Sequence, residues 1–64
     1  MVITFIFYDP KDKRLRLQFD GGEVYDYYLV PPEIGKQAEI AISGHSEAFF
    51  KSSIRGIYPF RRLA

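Results

Sequence analysis

The residues with the clearest capacity for catalysis are a histidine and two serines in one short segment. His45 stands between Ser43 and Ser46. A histidine can activate a serine hydroxyl only when the two side chains converge in space, and close neighbours in one turn do not. A chain with one histidine and no cysteine also excludes thiol catalysis and histidine- or cysteine-rich metal centres. We therefore expect a solvated histidine, no catalytic residue, no metal, no cofactor and no enzymatic activity.

The acidic residues and glycines of the first half give no site either. The acidic residues lie in segments of turn composition and lack the spacing of a calcium-binding loop. The Gly21-Gly22 pair lacks the longer glycine pattern of a phosphate-binding loop and precedes no helix. The acidic residues in question are Asp9, Asp12, Asp20 and Glu23.

Cations near the C-terminus point instead to binding. Lys51 and Arg55 are four residues apart, so they share one face of a helix. Arg61 and Arg62 carry planar guanidinium groups that suit phosphate oxygens and base stacking, and Tyr58 lies within reach of them. Residues 43–64 hold four basic residues and one acidic residue, although the whole chain has a net charge of only +1. The alternative is that these arginines pair within the molecule or keep it soluble.

The composition limits the elements that could position these residues. The chain has 64 residues, of which 47% are hydrophobic and eleven are Phe or Tyr. This is enough for one thin core, so we expect a single domain over residues 1–64. No apolar run approaches the ~20 residues of a membrane helix, and the apolar N-terminus lacks the basic region of a signal peptide. A cytoplasmic protein without membrane contact is expected.

Three strands are predicted in the first half of the chain. Val2–Tyr8 is rich in β-branched and aromatic residues and runs into a turn. Arg14–Phe19 alternates between apolar and basic or polar residues. After Gly21-Gly22, which supply the positive φ angles of a tight turn, Glu23–Val30 forms the third strand. Pro31-Pro32 ends it and suits the first turn of a helix.

Two short helices and an extended tail follow. The first helix has one buried stripe of apolar residues, namely Ile34, Ala38, Ala41 and Ile42, and ends at Ser43-Gly44. A second helix begins near Ser46, and Gly56 closes it in the left-handed conformation. Residues 57–63 are extended. The fold class is therefore α+β: a small antiparallel meander of three to four strands against two short helices, in the order β-β-β-α-α-β.

The first strand is apolar on both faces. Ile3, Phe5 and Phe7 form one row, and Val2, Ile6 and Tyr8 form the other. A strand of this kind needs cover on both sides. The C-terminal segment or a second subunit would supply it, so self-association is a second hypothesis.

The turn between strands two and three decides where two tyrosines point. With a two-residue turn at Gly21-Gly22, Gln18 faces Tyr25. Tyr25 and Tyr27 would then lie beside Arg16 on the polar face, as an aromatic and basic platform that stacks bases.

A three-residue turn with a bulge gives the opposite result. We then expect Phe19 to face Tyr25 and Leu17 to face Tyr27. All large apolar side chains lie on one side in this register, and their burial favours it. The other side then carries Arg14, Arg16, Asp26 and an exposed Tyr28.

Two motifs resemble those of the KTSC domain. The first is Tyr-x-Tyr, at Tyr25 and Tyr27. The second is aromatic-Phe-Asn-x-x-Ile-Arg, with Lys51 in place of the Asn and the other positions occupied by Phe49, Phe50, Ile54 and Arg55. The KTSC domain is a short module named for its place at the C-terminus of some lysyl-tRNA synthetases. It also occurs as a free-standing bacterial or phage protein, which is the form expected here.

The resemblance implies the fold and the element order, and it favours binding to RNA such as tRNA, because the module is attached to a tRNA synthetase. It implies structural roles for Tyr25, Tyr27, Phe50 and Ile54. The residues expected to contact RNA are Arg14, Arg16, Tyr28, Lys51, Arg55, Tyr58, Arg61 and Arg62. The alternative is a protein-interaction module or self-associating adaptor, possibly phage-encoded, with a protein partner or a homodimer. Convergence of Arg55, Arg61 and Arg62 on one exposed face would favour RNA, and dispersal would favour the alternative.

Overall fold

The computed structural model describes residues 2–42, 44 and 46–64 and confirms the α+β fold in the predicted element order. One antiparallel sheet holds four strands in the spatial order β1-β2-β3-β4. The predictions for Ser43 and His45 lie outside the described residues. The elements are β1 Ile3–Asp9, β2 Arg14–Phe19, β3 Val24–Tyr27, α1 Pro32–Ala41, α2 Ser46–Ser53 and β4 Phe60–Arg62.

The hairpin between β2 and β3 confirms the favoured facing of the two tyrosines. Phe19 N–H donates to the Glu23 carbonyl (2.9 Å) across a three-residue loop, in which Gly22 has a φ of 91°. The predicted partners were wrong by two residues, because Leu17 pairs with Tyr25. A slip of two residues preserves the side on which each residue points.

The third strand is shorter than predicted. It ends at Tyr27 because Leu29 has a φ of 61°, a left-handed conformation that strand pairing does not tolerate. Val30 N–H then donates to the Lys13 carbonyl (2.9 Å) rather than to a neighbouring strand. This local twist carries the chain from the sheet into α1.

The predicted rows of the first strand are wrong at one end. The register shifts between Ile3 and Phe5, so Thr4 is an extra residue, and its hydroxyl donates to the Gln18 carbonyl (3.2 Å). This β-bulge moves Ile3 to the buried face with Tyr8 and leaves Phe5 on the opposite face.

Helix α1 packs on β1 through a glycine. Pro31 is its N-cap and Pro32 occupies the first turn, as predicted. Gly35 lies directly against the Tyr8 ring, so the helix approaches the strand closely at a residue that the predicted apolar stripe did not include. Ile42 is exposed, which corrects its placement in that stripe.

The core lies between the sheet and the two helices. Its fully buried residues include Leu15, Leu17, Val30 and Ile54. The buried hydroxyl of Tyr8 donates to the Val30 carbonyl (2.6 Å). Only one face of the sheet is covered in this way. The opposite face, which we call the open face, leaves Phe5 and Phe7 about half exposed.

The described residues offer neither a membrane-spanning helix nor a cluster of metal ligands. None of the helices among them is long and apolar enough to cross a membrane. Nor do those residues contain a group of three His, Asp or Glu side chains placed to hold a metal ion.

Candidate nucleic-acid interface

An aromatic cleft opens between the C-terminal half of the sheet and the end of α2. It has a volume of about 340 Å³. Residues that alternate on β3 and β4 form its floor and one wall, and α2 with the turn after it forms the other wall. The aromatic cleft is lined by Phe19, Tyr25, Tyr27, Phe50, Arg55, Gly56 and Phe60.

Rings in contact give the aromatic cleft a defined shape. Phe60 lies 5.7 Å from Tyr25 at 70° and 5.5 Å from Tyr27 at 35°, centroid to centroid. Phe50 meets Tyr27 edge to face at 5.8 Å. Such geometries are favourable for aromatic pairs. Tyr27 is buried, whereas the Phe60 ring is 60% exposed, so one aromatic surface faces solvent.

Three cations surround the aromatic cleft. Arg55 lines it, and Lys51 lies with Arg55 along an adjoining hollow of about 200 Å³ that also contains Glu47. The Arg62 guanidinium stands 5.9 Å above the centre of the Tyr25 ring, and its Nε donates to the Ala64 carbonyl (2.9 Å). Among the described residues, none of these three cations forms an ion pair with an Asp or Glu side chain. Lys51 and Arg55 can therefore meet an external anion without first breaking such a pair, whereas Arg62 already donates to Ala64 through Nε.

Burial and charge act in opposite directions on the Tyr27 hydroxyl. Burial raises its pKa, and the positive charge of Arg55 lowers it in part. The net pKa is above the ordinary value for tyrosine, so this hydroxyl is a neutral hydrogen-bonding group at physiological pH.

A second set of cations lies on the open face. Arg16 donates two hydrogen bonds to Asp26, at 2.7 and 2.9 Å. Arg14 lies 3.9 Å from Asp26 and 3.7 Å from Asp9. Arg61 on β4 is the cross-strand partner of Asp26 on β3. Asp26 is therefore only 2% exposed. The hydrogen bonds from Arg16, with the charges of Arg14 and Arg61, hold the pKa of Asp26 below its usual value.

The structure thus divides the residues that the sequence assigned to one RNA-binding surface. Arg61 and Arg62 are consecutive on β4, so they point to opposite faces of the sheet. The sequence analysis predicted residues 57–63 to be extended, yet it treated Arg61 and Arg62 as one pair on the same surface. The cations at or beside the aromatic cleft are Lys51, Arg55 and Arg62. The open face carries Arg14, Arg16, Tyr28 and Arg61. Tyr58 packs half-buried against the core. Arg55, Arg61 and Arg62 therefore do not converge on one face, which by the criterion stated above favours the protein-interaction alternative over RNA binding by all three. Only Arg55 and Arg62 remain on the side of the aromatic cleft.

Sequence reasoning also missed one aromatic residue of the site. Phe60 contributes the most exposed ring of the aromatic cleft. The sequence contained the information needed to find Phe60, because residues two apart in an extended segment share a face, and Phe60 is two residues from Arg62. Tyr28, predicted to be exposed, is half-buried and lies close to Arg16.

Comparison with known proteins decides the family. The model of the KTSC domain matches residues 1–58. The chain belongs to the KTSC domain family. The crystal structure of a KTSC domain protein from Yersinia pestis superposes with a TM-score of 0.83 at 28% identity, over 97% of this chain and 84% of that one.

Two curated relatives are lysine–tRNA ligases of cyanobacteria. The ligase of Nostoc punctiforme is 33% identical over 63 residues, which is 98% of this chain and 11% of that protein. The ligase of a second Nostoc strain is 30% identical over 57 residues, which is 89% of this chain and 10% of that protein. The chain therefore spans about a tenth of the length of each ligase.

The motifs of the KTSC domain meet at the aromatic cleft. Tyr25 and Tyr27 of the first motif, with Phe50 and Arg55 of the second, line it. Ile54, between them, is fully buried beneath. Lys51, which replaces the Asn of the second motif, is exposed in the last turn of α2 and adds a positive charge to the rim.

Proposed function

We propose that this KTSC domain is a non-enzymatic module that binds RNA through the aromatic cleft. The observation that carries the proposal is the combination of exposed aromatic surface with three cations that have no Asp or Glu partner among the described residues. Aromatic surface and unpaired positive charge together are what a protein needs to hold an unpaired nucleotide.

The aromatic side chains bind the base. A base that enters the cleft stacks on the exposed Phe60 ring, which Tyr25 contacts edge to face at 5.7 Å. Stacking of a base on an aromatic side chain contributes ~1–3 kcal/mol and tolerates any base. The hydroxyl of Tyr27, neutral at physiological pH, is available to the base edge.

The cations bind the adjacent phosphates. Arg55 at the rim and Arg62 above Tyr25 present planar donors that match phosphate oxygens. Lys51 extends the positive rim along α2. Glu47 in the same hollow repels phosphate there, so the strand is directed towards Arg55 and Arg62.

The relatives support tRNA as the RNA class. Lysine–tRNA ligases act on tRNA, and two of them contain a segment similar to nearly all of this chain. Binding of tRNA would place the protein in the cytoplasm. The unpaired loops and 3′ end of a tRNA offer the accessible bases that the aromatic cleft requires.

The experiment is a fluorescence-anisotropy titration of labelled tRNA at roughly 50 mM salt, where phosphate contacts are strong. We expect saturable binding, which Phe60→Ala weakens roughly 5- to 150-fold through the loss of one stacked base. Ile57→Ala is the matched control, because it removes an exposed apolar side chain from the turn after α2, and it leaves the affinity unchanged. Absence of tRNA binding at this salt concentration would remove the proposal.

A further inference from the structure

The open face carries its own combination of aromatic rings and arginines. Phe5 and Phe7 are 47% and 48% exposed, although each is a large apolar residue in the middle of a strand. Phe7 pairs with Arg16 on β2, Arg16 pairs with Asp26 on β3, and Asp26 pairs with Arg61 on β4. This row of paired residues therefore crosses the whole sheet, with an aromatic ring on β1 and a cation on β4.

The charges of the open face favour an anion. Its three arginines outnumber its two aspartates, and Arg16 already neutralises Asp26 through two hydrogen bonds. Arg61 has an electrostatic interaction with Asp26 but no ion pair or hydrogen bond with it. The Arg61 guanidinium therefore remains able to bind a phosphate at the β4 edge.

The same charges argue against a second copy of the chain on this face. Two open faces that meet would bring their excess arginines together, and like charges brought out of water repel strongly. The outward edge of β1 is also occupied at Tyr8, whose N–H donates to Glu39 of α1 (3.2 Å). This contact blocks continuous strand addition from another chain at that edge.

We infer that the open face is a second surface for single-stranded RNA, on which bases stack on Phe5 and Phe7 and a phosphate binds at Arg61. An antiparallel sheet of four strands with helices on one side and exposed aromatic residues on the other is a known way to display bases. The inference extends the proposed RNA function to a separate surface and does not depend on the aromatic cleft. A strand that crosses β4 would meet Arg61 on one side and Arg62 on the other.

The test is a nuclear magnetic resonance titration of the whole chain with a short oligouridylate, following the ring protons of Phe5, Phe7 and Phe60. Stacked bases shift these protons upfield, so we expect upfield shifts of Phe5 and Phe7 in the wild type. The Phe60→Ala variant keeps those shifts, because it alters only the aromatic cleft. Inorganic polyphosphate, an anion without bases, perturbs the arginine side chains but produces no upfield ring shift.

The outcomes separate the two surfaces. Shifts of Phe60 alone would overturn this inference and leave the proposed function standing, whereas shifts of Phe5 and Phe7 alone would do the reverse. Ring shifts that depend on protein concentration without oligouridylate would assign the open face to a second copy and also overturn the inference. The Phe5→Ala variant, checked for folding by circular dichroism, is expected to need roughly 5- to 150-fold more oligouridylate to shift the Phe7 ring protons, because one stacked base is lost, and to bind polyphosphate as before.

Discussion

Asp26 shows how a charged residue can be buried on an exposed face. Its carboxylate is covered by the side chains of Arg14, Arg16 and Arg61 rather than by apolar residues. The sequence was sufficient to place Asp26 on the same side as Arg16 once burial of the large side chains had selected the register. It could not predict the cluster, since the pairing register and the arrival of β4 beside β3 are tertiary features.

We predict that Asp26→Asn destabilises the protein by roughly 2–3 kcal/mol at pH 7. The substitution removes a charge-assisted pair and leaves Arg16 without its partner. The cost is below that of a fully buried pair because the Arg16 side chain is 39% exposed. Urea unfolding followed by tyrosine fluorescence measures the difference, and Asp12→Asn, in the exposed β1–β2 turn, is the control that changes stability little.

The pH dependence of this stabilisation has a defined sign. The pKa of Asp26 is lower in the folded protein than in the unfolded chain, so its ionisation stabilises the fold above the unfolded pKa of ~3.9. That contribution is lost as the pH falls through the folded pKa. The difference between wild type and Asp26→Asn is therefore constant above about pH 5 and shrinks below about pH 4. A difference that stays the same at acidic pH would contradict this role of the carboxylate.

At the scale of elements, the sequence predicted the kinds of element better than their partners. The facing of Tyr25 and Tyr27 followed from burying all large side chains on one side. The exact partners did not, because a shift of two residues gives the same facing and only the loop geometry distinguishes the registers. The bulge at Thr4 has no signal in the sequence either, since its hydrogen bond to Gln18 exists only once β1 and β2 are paired.

The packing of α1 on β1 gives a prediction about a single glycine. Gly35→Ala should destabilise the protein by about 1–3 kcal/mol, because the new methyl group overlaps the Tyr8 ring. Helix propensity alone predicts the opposite, a gain of ~1 kcal/mol. Thermal unfolding decides between them, with Lys36→Ala as the control on the exposed side of the same helix. A higher melting temperature for Gly35→Ala would show that α1 does not lie against Tyr8.

The whole molecule has two different surfaces because a single layer of helices covers a four-stranded sheet. The basic end of the chain, which the sequence presented as one group, is divided between these surfaces by the alternation of β4. Three of the eight residues expected to bind RNA gather at the aromatic cleft, and four lie on the open face. The sequence supplied the candidate residues but could not predict this division, because it depends on where the last strand joins the sheet.

The proposed function requires that Arg55 and Arg62 neutralise RNA phosphates at the aromatic cleft. The most direct measurement is the salt dependence of affinity for single-stranded RNA, compared between the wild type and Arg55→Gln/Arg62→Gln. Each phosphate contact contributes about −0.7 to the slope of log K against log salt, so the double variant should have a slope less negative by about 1.4. An identical slope for the two proteins would contradict the account, because it would mean that neither arginine meets a phosphate.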